Sequence, residues 1–150
     1  MKLTTTAFAP GGNIPNEYTL YGDNLVPPLH IDDVPQDARS LALIMDDPDA
    51  PNGTFTHWLL FNINPRIHDL GDREIPLGTV RGTNDFGTTE YGGPRPPSGE
   101  HRYYWKIFAL DSRLNLENGA TRDDLEASIS GHILASASLM GRYASRTHQN

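Results

Sequence analysis

Cysteine is absent from the chain. That excludes disulfides, thiolate nucleophiles and cysteine-built zinc sites together, and it fits a reducing compartment. Lysine is nearly absent too. Lys2 and Lys106 are the only two, and the ten arginines are spread along the chain. With a formal net charge of −7, no clustered basic face exists for duplex nucleic acid. An anionic membrane surface is matched no better. Long apolar runs are also missing. No stretch approaches the ~20 residues that span a bilayer, and Met1 to Phe8 carries no apolar signal-peptide core. A cytoplasmic location without stable membrane insertion is therefore expected.

What is present is a chain of 150 residues, a length that fits one domain over 1–150. Glycine (14) and proline (12) are plentiful, and hydrophobic residues make up only 37%. This mix of many turns around a modest core favours a mainly β fold over a helical bundle. Pro10-Gly11-Gly12-Asn13 reads as a turn, followed by a short strand at Tyr18 to Tyr21. Ser40 to Met45, Phe55 to Asn64 and Arg102 to Leu110 are apolar or aromatic runs between turn signals and read as strands. Pro76 to Glu100 is long, irregular and rich in Gly and Pro, the composition of a functional loop. Thr121 is a candidate N-cap with Asp124 at the capping-box position. Leu125, Ile129, Ile133, Ala137 and Met140 then recur at helical spacing, which predicts an amphipathic helix interrupted at Gly131. The tail from Ser145 to Asn150 is expected to fray.

Three motifs carry polar chemistry. Asp47-Pro48-Asp49-Ala50-Pro51 follows a buried strand and places two carboxylates at i and i+2 in a proline-stiffened loop. Taken alone it is a turn. His57 sits inside a nearly all-apolar strand, where a hydrogen-bonded core histidine is the simplest account. The third runs from Tyr91 to Tyr103. Gly92-Gly93 permits close backbone approach, Pro94, Pro96 and Pro97 stiffen the loop, and His101 and Tyr103 share one face of the following strand. An imidazole beside a carboxylate keeps its proton near neutral pH and can hold an anion. Such a local positive site is compatible with an acidic chain. His30, His68, His132 and His148 have no partner suggested by sequence and read as structural or surface residues.

Together these residues resemble the phosphatidylethanolamine-binding protein family, in its prokaryotic Raf kinase inhibitor-like branch. The likeness spans Asn24 to Leu29, Leu41 to Asp47, Asp47 to Pro51, His57, Asn84-Asp85-Phe86-Gly87, Gly93-Pro94, Gly99 to Tyr103, Thr121 to Leu125 and Gly131-His132. Val26 stands where that branch commonly has Ser, and Ile31 where it commonly has Trp. The resemblance implies an antiparallel Greek-key β-sandwich with a few peripheral helices, one of them near the C-terminus. It implies a pocket for phosphate or phosphorylated head groups made by Asp47, Pro51, His57, Gly93, His101 and Tyr103, with Asp49 and Pro94 as supports. It also implies a possible homodimer.

A small-anion-binding protein that could act as a regulatory or inhibitor module is the reading these features favour. A surface-mediated protease or kinase regulator is the alternative, and its protein partner is not legible. A metal-independent hydrolase could use the His/Asp groups as acid and base. However, Ser98 lacks the Gly-x-Ser-x-Gly elbow of a nucleophile, so no catalytic residue is assigned. Two histidines and two aspartates could ligate Zn²⁺ or Fe²⁺, yet no close His pair occurs, and no metal or cofactor is expected.

Overall fold

The computed structural model describes residues 1–145. Eight strands form two antiparallel sheets. The smaller is ordered β1-β2-β5, with β1 at Lys2–Thr5, β2 at Leu29–Asp32 and β5 at Asp69–Leu70. The larger is ordered β6-β4-β3-β7-β8. It comprises β3 (Ser40–Asp47), β4 (Phe55–Ile63), β6 (Val80–Arg81), β7 (Glu100–Leu110) and β8 (Ile133–Ala144). After β6 the chain crosses to the other side of the β3–β4 hairpin, where β7 pairs with β3.

β3 is buried along its whole length because both its faces are covered, which is why it reads as an unbroken apolar run. Leu41, Leu43 and Met45 point into the main core between the sheets, against Leu29, Ile31, Trp105 and Ile107. Ala42 and Ile44 point the other way, into a second cluster with Leu59, Phe61, Leu125 and Ile129. The last two belong to the single α-helix of the described residues, α1 (Arg122–Ile129). Its N-terminus carries the expected capping box: the Asp124 N–H donates to Thr121 Oγ1, and the Thr121 N–H donates to Asp124 Oδ2. β7 has only one face in the main core and alternates accordingly, with Tyr103, Trp105, Ile107 and Ala109 inward.

Two expected elements differ. Tyr18 to Tyr21 is no strand. A 3-10 turn at Asn16–Tyr18 leads into further turns, because Thr19 Oγ1 donates to the Asn16 carbonyl and accepts the Tyr21 N–H, curling the chain locally. The amphipathic helix predicted to reach Met140 ends at Ile129. Gly131 takes a left-handed φ of 82°, and Ile133–Ala144 pairs along β7 as β8. Ile133, placed on the buried face by helical spacing, is 46% exposed. Of the tail expected to fray, Ser145 is buried and its N–H donates to the Gly99 carbonyl. The rest, with His148, lies outside the described residues.

Candidate functional site

At one end of the larger sheet the last residue of β3, the start of β4, the turn at 84–88 and the start of β7 surround a cavity of about 460 Å³. Small-molecule pockets occupy ~300–1,000 Å³. Asp47, His57, His101 and Tyr103 supply its buried polar groups. Pro51, Phe55, Phe86 and Pro97 wall it, and Asp85 and Arg95 are exposed residues of its lining.

Asp47 organises the buried end. Its Oδ1 accepts the Asp49 N–H at 2.8 Å, closing the turn out of β3. Its Oδ2 accepts from His101 Nδ1 at 2.6 Å, with only 5% and 8% of the two side chains exposed. A carboxylate can only accept, so the shared proton sits on His101 Nδ1 and Nε2 is the uncommitted nitrogen.

His57 reaches the same cavity through a β-bulge. On the β3–β4 ladder Met45 faces Trp58 and Asp46 faces Thr56, which leaves His57 unpaired between them. The extra residue re-aims the side chain, as bulges beside functional sites do. His57 Nδ1 donates to the Gly92 carbonyl at 2.6 Å, so its Nε2 is also uncommitted. Burial lowers the His57 pKa below the usual imidazole value, which makes the neutral ring the resting form at pH 7.

Tyr103 lies between the imidazoles, edge-on to His57 with ring centres 5.4 Å apart and stacked on His101 at 6.4 Å. It is fully buried, and its hydroxyl has no hydrogen-bond partner among the described residues. Burial and the Asp47 carboxylate push its pKa up, so it remains a protonated donor. One phenol donor and two imidazole Nε2 atoms, which donate once their rings are protonated, are thereby held in one cavity.

The sequence-derived residues divide into two sets. Asp47, Pro51, His57, His101 and Tyr103 line the cavity, whereas Asp49, Gly93 and Pro94 do not. Asp49 accepts from Arg102 Nε and NH2 at 2.9 and 2.8 Å and from the Arg102 N–H at 2.9 Å. Arg102 draws the Asp49 pKa down to about 2 and ties the 47–51 loop to β7. The Gly93 N–H donates to Asn24 Oδ1 at 2.7 Å, and the Pro94 carbonyl accepts the Leu20 N–H at 3.0 Å. A Cβ on Gly93 would lie 2.5 Å from the Tyr18 carbonyl oxygen, so only glycine permits this approach. These two residues brace the loop against the N-terminal turns.

Sequence reasoning assigned no site role to Phe55, Asp85, Phe86 or Arg95. The available signals were an aromatic in the Asn84-Asp85-Phe86-Gly87 turn and a lone cation between Pro94 and Pro96. The remaining described histidines lie elsewhere and do find partners: His30 with Asp69 and Asp32, His132 with Asp111, and His68 with the Ile31 carbonyl. Among the described residues no group of three or more His, Asp or Glu is placed to hold a metal ion. No helix among them is long and apolar enough to cross a membrane.

Comparison with known proteins matches residues 4–144 to the family model described as phosphatidylethanolamine-binding protein. A UPF0098 protein of Methanothermobacter thermautotrophicus is 49% identical over 150 residues, covering 95% of this chain and 98% of that protein. A second, from Pyrococcus abyssi, is 43% identical over 151 residues, covering 95% and 85%. Among solved structures, the phosphatidylethanolamine-binding protein homologue CT736 of Chlamydia trachomatis superposes with a TM-score of 0.90 at 40% identity, over 96% of this chain and 97% of that one. E. coli YbcL, described as a member of the mammalian family, gives 0.89 at 26% identity, over 97% and 98%.

Proposed function

This chain belongs to the phosphatidylethanolamine-binding protein family, and we propose that it binds small anions, phosphate or a phosphorylated head group, in the cavity between His57 and His101. One observation carries this reading. Both histidines have Nδ1 committed, to the Gly92 carbonyl and to Asp47, and both leave Nε2 to the cavity that also holds the unpartnered Tyr103 hydroxyl. An oxyanion supplies acceptors for all three. Charge-assisted bonds to it are shorter and stronger than neutral ones, and the site is already arranged, so little ordering cost is incurred on binding.

Binding is favoured over hydrolysis because the cavity offers acid–base groups without a nucleophile beside them. Ser98 is not among its lining residues. Following the imidazole NMR signals of the full chain during titration with inorganic phosphate at about pH 6.5, with acetate as control, tests the reading. Saturable shifts of His57 and His101, lost in His101→Ala, are expected. Silence of both rings would refute it.

A further inference from the structure

Resting on that reading, we propose that the preferred ligand is an organic phosphate whose ester group is a flat apolar ring, and that Phe86 is the residue that selects it. The cavity is far larger than a phosphate ion, and its buried hydrogen-bonding groups are Asp47, His57, His101 and Tyr103, while Asn52, Thr54, Asp85 and Arg95 are exposed on its lining. The space beyond the buried groups is bounded by Phe55 and Phe86. Their ring centres are 4.8 Å apart and lie 5.0 and 5.3 Å from the His57 ring, all in edge-to-face arrangement.

Phe86 is 41% exposed and contributes little to the core. Yet the turn presenting it is held firmly. Buried Asn84 accepts the N–H groups of Phe86 and Thr88 at 3.0 Å each through Oδ1. Through Nδ2 it donates to the carbonyls of Glu90 and His57 at 2.7 and 3.2 Å. Asp85 is tied to Thr56 by a bond in each direction. The Phe86 ring also lies directly on Gly92, where an added Cβ would fall 2.3 Å from it. So many constraints on an exposed ring have no packing benefit to explain them, but they do preorganise an apolar wall above a hydrogen-bonding floor. Preorganisation of this kind raises affinity for a ligand with matching parts.

The lining carries charge of both signs, with Asp47 and Asp85 on one side of the balance and the exposed Arg95, which forms no ion pair among the described residues, on the other. Net charge therefore does not choose the ester group. The rings do, since an aromatic ester meets Phe55 and Phe86 at their preferred edge-to-face geometry.

Calorimetric titration of the full chain with inorganic, methyl and phenyl phosphate and with O-phosphoethanolamine, all at one pH, tests this. Phenyl phosphate should bind at least about tenfold more tightly than methyl phosphate, the size expected for burying one ring against two others. Phe86→Ala should reduce that ratio to within about threefold by removing the aromatic contact, and Phe86→Tyr should retain it. Equal affinities for the methyl and phenyl esters would overturn the inference, as would a ratio that Phe86→Ala leaves intact or tighter binding of O-phosphoethanolamine. If inorganic phosphate and every ester fail to bind, the anion-binding reading itself falls. If all bind alike, the aromatic-ester inference falls and the anion-binding reading stands.

Discussion

The buried His57 should make the protein lose stability on mild acidification, and the sign follows from its surroundings. Burial lowers its folded pKa below that of the unfolded chain. As pH falls through ~6.5 the unfolded chain gains a proton that the folded chain refuses. The unfolded state then holds more protons, and stability drops by up to about 1.4 kcal/mol for each pH unit until the folded pKa is reached. At pH ~5.5 one such group can remove at most about 1.4 kcal/mol from a typical ~5–15 kcal/mol. His57→Asn isolates it, because the asparagine amide can replace Nδ1–H as donor to the Gly92 carbonyl without titrating. Urea denaturation of both proteins at several values between pH ~7.5 and ~5 gives the comparison, and titrations common to both cancel in the difference. Wild type should lose stability relative to the variant as the pH is lowered, by no more than that limit. Ligand binding should show the opposite dependence, since an anion at Nε2 favours the protonated ring. Affinity for sulfate, whose own charge is constant over this range, should rise by up to about tenfold per pH unit as the pH is lowered. Parallel stability curves for wild type and His57→Asn, or pH-independent sulfate binding, would refute the buried neutral imidazole.

Asp47→Asn should weaken phosphate binding at least about tenfold and cost ~1.5–3 kcal/mol of stability, the value of a buried charge-assisted hydrogen bond. Calorimetry and denaturant unfolding check the two effects. Asn84→Ala should cost ~2–4 kcal/mol by stranding several backbone groups at once, seen as a lowered urea midpoint. Gly93→Ala should destabilise by more than ~1–3 kcal/mol, because the Tyr18 carbonyl and Asn24 must move to admit a Cβ. His30 should titrate above ~6.5 and His57 below it in a histidine NMR titration. The Asp69 hydrogen bond raises the first and burial lowers the second, and the reverse order would contradict both assignments.

The strands carrying the site were legible because β3, β4 and β7 are continuous apolar or alternating runs bounded by Asp, Pro and Gly. His101 and Tyr103 were legible for a local reason: residues two apart on a strand share a face. His57 was named through the resemblance alone, since its facing depends on a bulge set by pairing with β3, and a slip of one residue reverses every facing. Ile133 to Met140 was misread as helix because Ala and Ser satisfy both periods. Pairing with β7, which begins far back at Glu100, decided between them. Asn84 was marked as part of the resemblance, but its bracing role was not legible, since its hydrogen bonds reach backbone groups from His57 to Glu90.

The proposed anion site is compatible with an acidic chain because of how three neighbouring carboxylates are disposed. Strand geometry sends Asp46 and Asp47 to opposite faces of the sheet. Asp46 is met on the outer face by Lys106 and Arg122, each at 2.9 Å. Asp47 is met on the cavity side by His101, and Asp49 leaves the cavity altogether to clasp Arg102. Each of these three carboxylates is thus met within 3 Å by a nitrogen donor, Lys106 and Arg122 for Asp46, Arg102 for Asp49 and the His101 ring for Asp47. Arg95 stands on the lining without a carboxylate partner among the described residues. In a low-dielectric pocket the nearest groups dominate, while charges more than ~10 Å away through water are screened. The formal charge of −7 therefore says little about the field an entering anion meets. In the proposed reading that field is set by His101, Arg95, Asp85 and the proton that His57 would accept as an anion arrives.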